Sequence, residues 1–161
     1  MTKDRILASI ATLGPIGQLP APGTMGSLAA LVIGVLIAMN GGLGMLMMAT
    51  LIVSILGLSS AGAHFRVTGI KDSGAVVIDE VAGQWLVLLA IPFPPDLTPI
   101  YLISVAAAFG LFRFFDIIKI GPVKMAEDLP GAAGVMADDV VAGAMAGGVL
   151  IMIVAGLAWV L

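Results

Sequence analysis

Cysteine is missing from this 161-residue chain, which excludes disulfides, thiolate nucleophiles and cysteine-held metals. Histidine occurs once, at His64, so no multi-histidine metal site can be built; at the end of an apolar run, an interfacial or structural role is expected for it. Charge is scarce, with 11% of residues charged and a net charge of −3, against roughly one quarter charged in a soluble domain. No basic stripe is present, which argues against a nucleic-acid partner. Nor is any polar stretch long enough to form a linker or a second soluble domain, so a single integral-membrane domain over residues 1–161 is expected.

What the chain has in abundance is apolar sequence: 60% of residues are hydrophobic and the mean hydropathy is +1.17. An all-α, polytopic membrane helix bundle follows. Apolar segments run over Met25–Met39, Leu43–Ala63, Val76–Ile91, Pro99–Ile118 and Val140–Leu161. About 20 apolar residues cross a hydrocarbon core, so the second, fourth and fifth are credible spans. The first and third are short, and are expected to tilt or re-enter. Ahead of them, Lys3 and Arg5 precede a brief apolar run that Gly14-Pro15 cuts off, the pattern of an N-terminal interfacial helix. The turn-rich stretch from Gly17 to Thr24 should be irregular, with Thr24 as N-cap of a helix beginning at Met25. Two small-residue faces, Gly26/Ala30/Gly34 and Gly143/Gly147, permit close helix contact. Trp159 fits an outer interface anchor.

Basic residues fix an orientation. Lys3 and Arg5, Arg66 and Lys71, and Lys119 and Lys124 lie in alternate connections, whereas the connections at Asn40–Gly42 and Pro92–Thr98 have none. Five segments with the N-terminus inside and the C-terminus outside satisfy the retention of Lys and Arg on the cytoplasmic side. Asp72, Asp79, Glu80, Asp116, Glu127, Asp128, Asp138 and Asp139 then all fall on that side, leaving Asp96 outside. A cytoplasmic-face site is expected where several helices end.

Its chemistry is carried by two acidic pairs, Asp79-Glu80 and Asp138-Asp139, each at the head of an apolar run. A helix cap accounts for one carboxylate of a pair but not for both. Ionisable groups are costly at a membrane segment and mark function; together the pairs suit Mg²⁺, which takes oxygen ligands from one or two carboxylates plus a substrate phosphate. Arg113, Asp116 and Lys119 recur every three residues on one helix face. One reading is a salt-bridge ladder; the other makes Arg113 or Lys119 a phosphate clamp, with Asp116 orienting it or joining the metal shell. Pro22-Gly-Thr-Met-Gly-Ser27 leads into a helix N-terminus that can hold an anion, but it lacks the lysine and spacing of a P-loop.

Four motifs, in order, resemble the phosphatidylglycerophosphatase A family of bacterial membrane lipid phosphatases: Ala21-Pro-Gly-Thr-Met-Gly-Ser27, Lys71-Asp-Ser-Gly-Ala-Val-Val-Ile-Asp-Glu-Val-Ala-Gly83, Arg113-Phe-Phe-Asp-Ile-Ile-Lys119 with Pro122, and Gly134-Val-Met-Ala-Asp-Asp-Val-Val-Ala-Gly143. The resemblance implies Mg²⁺-dependent hydrolysis of phosphatidylglycerophosphate, the lipid substrate, to phosphatidylglycerol and phosphate at the bacterial inner membrane. By motif it carries over the acidic residues Asp72, Asp79, Glu80, Asp116, Asp138 and Asp139 and the basic residues Arg113 and Lys119. On the chemistry of these side chains, Asp79, Glu80, Asp116 and Asp139 are expected to be catalytic, Arg113 and Lys119 to bind substrate with Thr24 as a helper, and Asp72, Asp79, Glu80, Asp138 and Asp139 to bind the metal. The chain departs from the family at Ser73, at Ile120-Gly121 and at Ala132-Ala133; none of these removes a charged group.

Other lipid phosphatases fail on residues, since a thiolate or multi-histidine centre is impossible and no Asp-x-Asp nucleophile motif occurs. From a different class, a small ion or metabolite transporter would use intramembrane carboxylates as a cation path. It calls for acidic groups near the midplane and an inverted repeat, and no repeat is visible.

Overall fold

The computed structural model describes residues 2–70, 73–92 and 97–160, with side chains as far as 156. Asp72, Lys71, Asp96 and Trp159, to which the sequence assigned roles, lie outside the described residues or side chains. Every regular element among the described residues is helical: α1 Lys3–Ala11, a 3₁₀ turn Ile16–Gln18, α2 Pro22–Thr68, α3 Ile78–Leu88, α4 Pro99–Ile118, α5 Pro122–Glu127 and α6 Ala132–Val160. Three of them, α2, α4 and α6, are long and apolar enough to cross a membrane. Their apolar side chains mostly face outward, Val32, Met48, Ile103 and Met152 among them, as expected where lipid rather than protein is the solvent.

Unbroken, the 47 residues of α2 would extend about 70 Å at 1.5 Å per residue, more than twice the hydrocarbon thickness. The helix is interrupted at Gly42, where φ is 72° and ψ is −179°, a backbone conformation open to glycine because it has no Cβ. Packing gives the direction of the two limbs. Gly23 lies against Glu80 and Gly34 against Leu88, so residues 22–41 run parallel to α3. Gly83 meets Asp139 and Gly147 meets Val87, so α6 also runs parallel to α3. Gly57 meets Met136 and Gly62 meets Ala132, which makes residues 43–68 antiparallel to α6. Gly42 therefore reverses the chain, and α2 is a helical hairpin.

Small residues set how closely these helices approach. A methyl group at Gly83 would stand 2.5 Å from the Asp139 carbonyl oxygen and from Phe112, and one at Gly143 would stand 2.5 Å from the Gly83 carbonyl oxygen. On the other side of α3, the Trp85 indole N–H donates to the Ala30 carbonyl at 2.7 Å, next to Gly34. Both small-residue faces expected from the sequence are thus packing faces. Gly83→Ala should destabilise the bundle by about 1–3 kcal/mol through overpacking, read as a lower thermal midpoint in detergent; an unchanged midpoint would contradict the close approach.

Two helix starts differ from expectation. α2 begins at Pro22, with Ala21 as N-cap at φ 52° and no side-chain cap bond, because proline at the first helical position has its φ already set and no N–H to satisfy. Thr24 is therefore inside the first turn and does not cap. α6 begins at Ala132, well ahead of Val140, which places Asp138 and Asp139 inside the helix. Neither can be its cap. As expected, α1 ends before Gly14-Pro15. It packs on the end of α2 through the Arg66–Asp4 ion pair at 2.9 Å, and its Ala11 carbonyl accepts from Val77 N–H at 2.9 Å, which anchors the start of α3.

Candidate active site

The N-terminal ends of α2, α3 and α6 and the C-terminal end of α4 meet at one end of the bundle, and the ionisable groups gather there. Asp79 and Glu80 come from the first turn of α3. Asp139 comes from α6 across the Gly83 contact. Ligand oxygens of Asp79, Glu80 and Asp139 lie within 4.8 Å of one another, and this is a group that could hold a metal ion. Asp79 and Asp139 are buried. Packing three carboxylates into such a space is costly unless a cation offsets their charge. The charges of Asp79, Glu80 and Asp116 all bear on Asp139, so α4 contributes a fourth carboxylate at the edge of the cluster.

Both acidic pairs share a local geometry. Asp79 Oδ1 accepts from the Glu80 N–H at 3.1 Å, and Asp138 Oδ1 accepts from the Asp139 N–H at 3.0 Å. Each leading aspartate so turns one oxygen back onto the chain. The other oxygen of Asp138 takes the Lys119 ammonium at 2.6 Å. Asp138 is thus an ion-pair partner beside the three-carboxylate group, while Asp139 is a member of it.

Arg113 stands over the cluster from α4. Its guanidinium pairs with Asp116 at 2.5 Å and Nη1 donates to Ser27 Oγ at 3.3 Å; Ser27 in turn donates to the Gly23 carbonyl at 2.7 Å. Glu80 Oε1 and Arg113 Nη1 both approach Gly23, where a larger residue would displace the carboxylate. The start of α2 reaches the site through Gly23 and Ser27; Thr24, half-buried, is in the same turn.

Lys119 departs from the face it was expected to share with Arg113 and Asp116. At φ 51° it turns the chain out of α4, which breaks the three-residue ladder, and it binds Asp138 and also Glu127 of α5 at 2.9 Å. Burial alone would lower its pKa, but the hydrogen bonds and charges of Asp138 and Glu127 outweigh this and hold it above the ordinary lysine value. Glu127 is held below the ordinary glutamate value by its bonds to Lys124 and Lys119. Lys119 is therefore a cationic tie between α4, α5 and α6.

Ser27 and Glu127, which the sequence placed in the anion-holding stretch and among the acids of one side, touch site residues directly, and Gln84 is fully buried one turn beyond Glu80 with no role expected for it. A signal existed for Gln84, an uncharged polar side chain in the apolar run Val81–Ile91 one turn beyond Glu80. His64 is buried near the end of α2.

A helical membrane protein whose polar end brings together three carboxylates and an arginine has the make-up of a phosphate-handling, metal-binding enzyme. The sequence pattern of one family, phosphatidylglycerophosphatase A, matches residues 9–154. A phosphatidylglycerophosphatase A of Haemophilus influenzae is 37% identical over 153 residues, covering 88% of this chain and 90% of its own. The Escherichia coli phosphatidylglycerophosphatase A is 32% identical over 136 residues, 82% of this chain and 73% of its own. A Bacteroides thetaiotaomicron protein described as a candidate phosphatidylinositol-3-phosphatase is 48% identical over 73 residues, 45% of this chain and 43% of its own. No solved structure matches. The chain belongs to the phosphatidylglycerophosphatase A family, and it is a phosphoric monoester hydrolase.

Proposed function

We propose that this protein hydrolyses phosphatidylglycerophosphate to phosphatidylglycerol and phosphate, with Mg²⁺, on the cytoplasmic face of a bacterial inner membrane. The observation that carries the reading is the convergence of Asp79, Glu80 and Asp139 beside the Arg113 guanidinium in a chain of this family. A lipid phosphomonoester presents a dianion at the membrane surface, and cleaving it is mostly a matter of positioning and charge neutralisation. Asp79, Glu80 and Asp139 would hold the cation, with Asp72 and Asp138 as further candidates. Mg²⁺ bound there supplies positive charge to the phosphoryl oxygens and acidifies water. Arg113, oriented by Asp116 and Ser27, would face the remaining phosphoryl charge, with Lys119 and Thr24 as further candidate substrate contacts. A new P–O bond forms to water while the bond to the glycerol oxygen breaks, and that oxygen leaves with a proton.

In the membrane, the two limbs of α2, then α3, α4 and α6, make five segments in this reading, with α3 short. Lys3, Arg5, Arg66, Lys119 and Lys124 lie at the polar end and set it inside. The absence of native cysteine makes the test direct: a cysteine at Gly121 should label from the cytoplasmic side, and a reporter after Leu161 should be external.

The reaction is tested by phosphate release from phosphatidylglycerophosphate by the protein in detergent, with Mg²⁺ and with chelator, beside phosphatidylinositol 3-phosphate. Release from the glycerol lipid that stops on chelation is expected. Cleavage of the inositol lipid alone would overturn the substrate assignment, and release undiminished by chelator would overturn the metal.

A further inference from the structure

Burying a polar group without a hydrogen bond is costly, so a buried polar atom left open calls for an explanation. Four such atoms belong to Glu80, Arg113 and their near neighbour in sequence, Gln84: Glu80 Oε2, Arg113 Nε, and both Nε2 and Oε1 of Gln84. Gln84 is fully buried. Its level and face in the bundle follow from its neighbours. It follows Glu80 by four residues on α3, so their side chains share a face. Glu80 and Arg113 both approach Gly23 from opposite helices. Gly83, beside Gln84, packs on Phe112, beside Arg113, which puts Gln84 and Arg113 at one level of the bundle. The open groups are also complementary. Glu80 Oε2 lacks a donor, Arg113 Nε–H lacks an acceptor, and a carboxamide offers one of each.

We propose that Gln84 is a positioning residue of this site. In the working site its Nε2–H donates to Glu80 Oε2 and its Oε1 accepts from Arg113 Nε–H, so that the carboxamide serves two buried groups with no other hydrogen-bond partner. Gln84 so couples a carboxylate that holds the cation to the guanidinium that faces the phosphate. This rests on the metal-dependent phosphatase reading above.

The test uses the full-length protein in detergent with Gln84→Leu and Gln84→Met, which remove the amide at similar volume. Mn²⁺ binding followed by electron paramagnetic resonance should weaken about tenfold or more in both variants, the usual effect of losing a group that orients a metal ligand. Inhibition by inorganic phosphate should weaken as well. The thermal midpoint of the metal-free protein should hold or rise, because an apolar side chain replaces an unpartnered amide. Mn²⁺ affinity within twofold of wild type would overturn the proposal. So would a lower metal-free midpoint in both variants, which would give Gln84 a purely structural role. Wild-type protein that binds no Mn²⁺ would instead overturn the metal-dependent reading beneath it.

Discussion

Asp139→Asn should reduce Mg²⁺-dependent phosphate release by about a hundredfold or more while leaving the protein folded. Loss of a group that merely orients a metal ligand already costs roughly 10- to 100-fold, and Asp139 is itself placed to be a ligand. It is the α6 contribution to the three-carboxylate group, and an amide there keeps the shape but removes the charge that balances a cation. The same substitution also removes an acid from a buried and crowded group of carboxylates. Stability in chelator should therefore be kept or improved. Turnover and metal-free stability should move apart, and that divergence distinguishes a functional carboxylate from a packing residue. Near-normal turnover in the folded variant would remove Asp139 from the metal site.

Arg113→Ala is expected to lower turnover by roughly 10²- to 10³-fold, the scale of losing one electrostatic contact to developing charge. It should also destabilise the fold, because Asp116 pairs with Arg113 at 2.5 Å and both side chains are about one-seventh exposed or less. Breaking such a pair from one side leaves a nearly buried charge uncompensated, at a cost of about 3–5 kcal/mol when burial is complete and somewhat less here. Arg113→Ala combined with Asp116→Ala should recover stability without recovering activity. Arg113→Lys should restore most of the stability and little of the turnover, since an ammonium lacks the planar fork that can serve Asp116, Ser27 and a phosphate together. Full activity in Arg113→Lys would reduce the role of Arg113 to that of a point charge.

The residues that converge in the candidate site stood out in the sequence because their signals are local. Charged residues in an apolar chain stand out at any position, and their bias to one side followed from counting lysines and arginines between apolar runs. The bounds of α4 coincide with the apolar segment Pro99–Ile118, where Thr98 caps the start by accepting from Tyr101 N–H. Helix starts were read less well. Thr24 has the chemistry of an N-cap, but Pro22 sets the start earlier; at α6, hydropathy marked Val140, whereas the backbone is helical from Ala132. Polarity ends a hydrophobic run without ending a helix.

Sequence by itself determined that this is a helical membrane protein with its acids and bases at one end, because hydropathy and charge are properties of each residue wherever it folds. It also determined the family, through four motifs in register. Only the tertiary structure decided which carboxylates meet. Asp139 joins Asp79 and Glu80 because α3 and α6 touch backbone to backbone at Gly83 and Gly143, while Asp138, about 100° around the helix, turns to Lys119. Lys119 left the Arg113 face because one residue at φ 51° redirects the chain. Contacts between helices depend on crossing points and single backbone dihedrals, and neither is written in the periodicity of any one segment.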